Sequence, residues 1–168
     1  TGQLDGVVAC GPRTWRGGPN HQVNFFPGSF PVLEFQCVEL SMRWMYLAWG
    51  ISPYSANGNT VVSNFNTYNS GTTIKVVYNS PGCCLYPEPG DVLSYCAGCA
   101  GGGHTSVVMS SNVDGNGNGS IEVMEENGAY SGVDTLTVAN YEVQNTRAGW
   151  VYGWLHNFGS SRGCRNCV

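Results

Sequence analysis

Phe35-Gln36-Cys37-Val38-Glu39-Leu40-Ser41-Met42-Arg43-Trp44-Met45-Tyr46-Leu47-Ala48-Trp49-Gly50 is the stretch that decides the architecture. Phe35, Val38, Met42, Met45 and Trp49 recur at i, i+3, i+7, i+10 and i+14, the apolar stripe of an amphipathic helix. Pro31 precedes the pattern and Gly50 stops it, so the spacing predicts a helix over 34–49. A shorter helix is expected over 60–65. The second half of the chain is strand-like: 74–78, 91–95 after the Pro89-Gly90 turn, 105–109, an alternating 121–124, 135–141 and 150–156. Residues 1–30 are rich in Gly and Pro and read as irregular structure. A helix succeeded by antiparallel strands makes the fold class α+β, with the helix packed on one sheet face.

Composition narrows the function. The 168 residues suit one domain with a proper core. Only 11% are charged, against roughly 25% in ordinary globular proteins. The net charge is −4, which leaves no basic patch for phosphates, so nucleic acid is not an expected partner. No apolar run reaches the ~18–20 residues of a membrane span, and no membrane association is expected. Without an initiating Met, a signal-like segment or a lipidation motif, the chain reads as a mature, soluble, monomeric protein. Eight cysteines, one lysine and many Asn, Ser and Gly residues point to a secreted, extracellular protein.

Cys37 falls in the first turn of the predicted helix, where backbone amides and the macrodipole favour a thiolate and then an oxyanion. The competing reading is a buried structural cysteine. A nucleophilic cysteine needs a base. Of three histidines, His21 lies in the irregular region and His156 ends the last strand. His104 comes after Gly101-Gly102-Gly103, small residues that let another segment or a substrate approach, and opens a strand that would fix its ring. If 105–109 and 120–125 pair as a hairpin, Glu125 or Asn127 returns to His104 and can accept its N–H.

Four segments together resemble the CHAP family of cysteine- and histidine-dependent amidohydrolases and peptidases. They are Phe35-Gln36-Cys37-Val38-Glu39-Leu40, Pro87-Glu88-Pro89-Gly90-Asp91-Val92, Gly103-His104-Thr105-Ser106-Val107-Val108 and Glu125-Glu126-Asn127-Gly128. The similarity spans about 35–156 within a single catalytic domain of 1–168, with 1–30 and 157–168 as disulfide-tied extensions. It implies a papain-like fold with the cysteine on the helix, and amide hydrolysis without a cofactor. Cys37 matches the nucleophile, His104 the base, Glu125 the orienting acid, Asn127 the neighbouring amide, and Gln36 the residue before the nucleophile, facing substrate and oxyanion. The implied substrate is bacterial peptidoglycan, cut at the muramoyl–alanine amide or at a peptide bond, with cell-wall degradation and antimicrobial action as its setting. The alternatives are a catalytically silent secreted module that binds glycans or a protein, and an amidase of glutathionylspermidine type. Phe26-Pro27-Gly28-Ser29-Phe30-Pro31 lacks the carboxylates of the calcium loop that many members carry before the nucleophile.

Two further patterns compete for attention. Asp114, Asn116 and Asn118, with Gly119 and Glu125, fit the spacing of an EF-hand calcium loop, but strand-like flanks favour a plain hairpin turn. Cys96-x-x-Cys99 and Cys164-x-x-Cys167 outline a zinc site, although disulfides suit a secreted chain better. The disulfide candidates are Cys10, Cys83, Cys84, Cys96, Cys99, Cys164 and Cys167, with Cys10 expected to reach Cys164 or Cys167. With Cys37 free, seven remain, so at least one more is unpaired within the chain. Trp15, Tyr130, Trp150 and Trp154 are candidates for a groove or for core, and parity puts Trp150 and Trp154 on one strand face.

Overall fold

The computed structural model describes residues 2–10, 21–82, 84–96, 101–129, 131–144 and 146–159. Helix α1 spans Cys37–Trp49, three residues shorter at its start than the apolar spacing predicts. The reason is Phe35, whose φ of 58° is left-handed and incompatible with a helix, so Gln36 becomes the cap. Gly50 ends the helix at φ 68°, as its lack of a Cβ allows, and its amide donates to Met45 and Tyr46 carbonyls. Helix α2 runs further than expected, Val61–Tyr68, and the Tyr68 ring that ends it stacks on Tyr54 at 5.4 Å.

Residues 1–30 are not wholly irregular. Two ribbons form, β1 (Gln3–Leu4) with β2 (Val7–Val8) and β3 (Gln22–Val23) with β4 (Val32–Leu33). Asp5 and Gly6, at φ 45° and 83°, make the tight turn between β1 and β2. The remaining strands are β5 (Ile74–Tyr78), β6 (Val92–Tyr95), β7 (His104–Val113), β8 (Gly119–Met124), β9 (Val133–Ala139), β10 (Glu142–Val143) and β11 (Val151–Asn157). They form one seven-stranded antiparallel sheet in the order β10-β9-β8-β7-β6-β11-β5. The fold is α+β, as the order of elements predicts.

Both sheet faces are buried. Val92, Val107, Met124 and Leu155 pack against Leu40, Met45, Val62 and Phe65 from the helices. Their neighbours Leu93, Val108, Val123 and Trp154 point the other way and join Ile121, Leu136 and Val138 in a second cluster. Trp154 is fully buried whereas Trp150 is exposed. The shared face expected from parity is lost at a register shift between Val151 and Gly153. No helix among the described residues is long and apolar enough to cross a membrane.

The stretch 114–118 is the turn between β7 and β8. Asp114 Oδ1 accepts the Asn116 and Asn118 amides, each at 2.9 Å. Glu125, the twelfth position of the calcium pattern, lies beyond the far end of six-residue β8, roughly 20 Å from that turn at about 3.3 Å per residue. Among the disulfide candidates, Cys10 is exposed and carries a free thiol in this structure, its amide held by Glu126 Oε1 at 2.7 Å, while its expected partners Cys164 and Cys167 lie outside the described residues. Cys96 comes directly after β6, and Cys84 is exposed beside a turn. Cys83, Cys99, Cys164, Cys167, Trp15 and Tyr130 lie outside the described residues.

Gly153 shows how tightly β11 meets β5: a Cβ there would lie 2.2 Å from the Val77 carbonyl oxygen. Gly153→Ala is therefore expected to destabilise the fold by about 3 kcal/mol, or roughly 6 to 12 °C in Tm. Gly115→Ala, which meets no atom within 4 Å, should leave the thermal midpoint nearly unchanged.

Candidate active site

Three elements meet at the site. Cys37 is the first residue of α1, so it sits among the amides of the first helical turn. His104 is the first residue of β7, and Glu125 comes directly after β8. The β7–β8 register pairs Val107 with Met124, so the expected hairpin forms and its open end brings residues 104 and 125 together. Ser41 Oγ and Thr105 Oγ1, 3.0 Å apart and buried, fasten the helix to β7 beside His104.

His104 Nε2 and Glu125 Oε2 lie 2.5 Å apart, with both residues buried. Cys37 is the other group whose proximity acts on this ring. Burial lowers the His104 pKa, but the bonds and charges of Cys37 and Glu125 reverse this and raise it to about 9. Burial pushes Glu125 up, yet the His104 bond and charge, the Ala129 amide and Arg147 together hold it below its usual range. The opposite directions define a pair that is charged at neutral pH.

Gln36 caps α1 with extended backbone, and its Oε1 accepts a hydrogen bond from Asn127 Nδ2 at 2.9 Å. Asn127 therefore faces the residue before Cys37 and not His104. Asn127 itself is left-handed at φ 55°, a conformation Asn tolerates, while Phe35 at φ 58° is strained. Both outliers border the site.

The glycines before His104 do what their size predicts. A Cβ on Gly103 would lie 2.4 Å from that of Asn59, and one on Gly58 would lie 2.8 Å from His104 backbone. The approaching segment is 57–59, whose Asn59 amide donates to the Gly102 carbonyl. A cleft of about 290 Å³ opens over Cys37, with Gly101–Gly103, Asn57 and Gly58 on its border together with Phe30, Pro31, Val32 and Leu33. Among the described residues, no charged side chain lines it.

A larger cavity, about 460 Å³, is lined by none of these site residues; Trp44, Glu88, Asp91 and His156 border it. There His156 Nδ1 meets Asp91 Oδ1 at 2.9 Å. This explains Asp91 in Pro87-Glu88-Pro89-Gly90-Asp91: Oδ2 accepts the Glu88 amide and closes the turn. His21 is exposed near β3 and takes no part.

Arg147 is a site residue that sequence reasoning misses; it donates to Glu125 Oε1 at 2.5 Å. Nothing in its neighbourhood, Thr146-Arg147-Ala148-Gly149, signals a role.

His104's pKa is raised above its unfolded value. Its contribution to stability is thus complete below about pH 6.5 and fades as pH rises through about 9. Glu125 is lowered, so its contribution holds above the usual carboxylate range and fades as pH falls through the lowered value. Nuclear magnetic resonance titration of the His104 imidazole should give a midpoint about 9. Glu125→Gln should move it down, and an unmoved midpoint would show that the carboxylate does not govern this ring.

Comparison with protein families gives a match to the CHAP domain over residues 27–127, which contains Gln36, Cys37, His104, Glu125 and Asn127. No curated protein matches the chain.

Proposed function

The chain belongs to the CHAP family, whose members are generally cysteine- and histidine-dependent amidohydrolases or peptidases acting on peptidoglycan, and from that premise we propose a secreted enzyme that cuts amide bonds in bacterial peptidoglycan through Cys37, His104 and Glu125. The observation that carries the reading is a buried imidazole bonded to a buried carboxylate, with the helix-terminal Cys37 close enough to act on the same ring. A cysteine at a helix start facing a histidine at a strand start is the papain-like arrangement.

The chemistry rests on the groups present. The Cys37 thiolate attacks the amide carbonyl carbon while His104, as imidazolium, holds the thiol proton. The oxyanion is received by the Cys37 N–H and by Gln36 Nε2. Asn127 occupies Gln36 Oε1, which turns the amide's NH₂ outward as a donor. His104 passes its proton to the leaving amine as the C–N bond breaks. Water then attacks the thioester, giving its proton to His104, and the acid leaves as the Cys37 sulfur is released. Glu125 keeps the imidazole oriented and stabilises its positive form.

A silent binding module is the weaker reading. Cys37 is a free thiol and not half of a disulfide, and a buried charged pair beside it has no use in mere binding. Eight cysteines in 168 residues favour an oxidising compartment, hence secretion, and disfavour an amidase of glutathionylspermidine type.

Incubation of purified peptidoglycan with the protein should release new termini. Lactyl groups with N-terminal alanine identify an amidase, and other new amines an endopeptidase. Cys37→Ala should lower the rate by about 10⁴-fold, and no release by the wild type would overturn the reading. Gln36→Ala should lower kcat by roughly 10²-fold with little change in KM, the mark of a donor used in the transition state.

A further inference from the structure

The Glu125 carboxylate is more heavily engaged than an orienting acid requires. Oε2 faces His104, while Oε1 receives both the Ala129 amide and the Arg147 guanidinium. Gly128 gives this cradle its shape, since a Cβ there would lie 2.6 Å from the Glu125 carboxyl carbon. Arg147 approaches from the solvent side: its side chain is 53% exposed, while that of Glu125 is 2% exposed. It also reaches Asp134 Oδ2 on β9, at 3.5 Å.

Arg147 is held where it stands. Thr146 and Gly149 pair across the turn by two backbone hydrogen bonds of 3.0 Å, and Thr146 Oγ1 accepts the Ala148 amide at 3.1 Å. Gly149, at φ 100°, packs so closely on Cys96 that a Cβ would sit 3.0 Å from its sulfur. The Cys96 amide donates to the Trp150 carbonyl at 2.7 Å, which fastens the end of the turn to the strand beside β7.

We propose that Arg147 is a positioning residue for the Cys37–His104–Glu125 site: its guanidinium fixes the rotation of the Glu125 carboxylate so that Oε2 faces His104, and its charge keeps that carboxylate ionised. The inference rests on the hydrolase reading above. During turnover the imidazolium must give its proton to the leaving amine. A neutral Glu125 would leave the imidazolium without its counter-charge and its acceptor. The groups facing Glu125 are His104 on β7 with Cys37 behind it, the Tyr95 hydroxyl on β6, Asp134 on β9, and Arg147 itself. Asp134 and Tyr95 cannot favour the ionised form by charge, so Arg147 is the group outside the catalytic pair that does.

The test is carbon NMR titration of the Glu125 side-chain carboxyl in the full chain, together with pH profiles of kcat/KM on peptidoglycan. In Arg147→Ala the Glu125 midpoint should rise, the acid limb of kcat/KM should move to higher pH with it, and kcat/KM on that limb should fall roughly three- to tenfold. Arg147→Lys keeps the charge but not the planar fork, and should restore most of the titration shift and less of the rate. Arg147→Gln keeps a donor without charge and should titrate like the alanine variant. A merely structural role would lower Tm and leave the Glu125 midpoint in place. An unmoved midpoint in folded Arg147→Ala or Arg147→Gln overturns the proposal. The titration does not depend on turnover, so an inactive wild type would sink the hydrolase reading separately.

Discussion

The hydrogen bond between His104 and Glu125 is the constraint on which the rest of the site depends. It joins the two ends of a hairpin whose turn lies ten residues away along β7, so its length is set by strand register and not by local flexibility. Slipping β8 by one residue would send Glu125 to the other sheet face. The register is fixed in turn by apolar residues on both faces, Val107 and Met124 towards the helices, Val108 and Val123 away from them. A core of the ordinary kind thereby fixes a polar contact to a fraction of an ångström. Burial strengthens the contact and also makes it demanding, because each buried charge must be answered.

The low charge content takes on meaning in this light. Four of the eleven acidic residues, Glu39, Asp91, Glu125 and Glu126, are buried. Asp91 is matched to His156, Glu125 to His104, and Glu39 and Glu126 to Arg43. Few charges in the composition do not mean few electrostatic interactions. This chain keeps much of its acidity inside, where each carboxylate closes a turn, orients a ring or holds an incoming strand. Glu126 does the last, gripping the Cys10 amide while its neighbour Glu125 turns to His104.

Much of this is legible in the sequence, for physical reasons that differ from residue to residue. The 3.6-residue stripe of 35–49 announces α1, and Cys37 stands at its start as the spacing requires. Strand β5 is legible to the residue because β-branched and aromatic side chains fill it. The Asp5-Gly6 turn carries a hairpin signal that is easily passed over, because the flanking strands are only two residues long. Phe35 completes the stripe, yet its backbone is left-handed; periodicity reports which side chains are apolar and not which φ they adopt. Trp150 and Trp154 break the parity rule at a bulge, which no pattern of period two can reveal. Chain direction alone puts Asn127 beside His104, whereas its own left-handed backbone turns it to Gln36. Arg147 is invisible because its partner is 22 residues away, across a turn that sequence does not locate.

The two sides of the cleft over Cys37 have very different freedom to vary. Gly101, Gly102 and Gly103 have φ values of 97°, 86° and 62°, which few residues with a side chain adopt, and Gly103 also abuts Asn59. That wall is bare backbone by necessity, and one of its carbonyls, that of Gly102, is already held by the Asn59 amide. Opposite it, Phe30 and Leu33 stand 43% and 47% exposed, supported by β3 and β4 and free of any such backbone demand. Side chains that alter the cleft can therefore be placed on the 30–33 wall, whereas one added at the glycine wall meets backbone strain at every position.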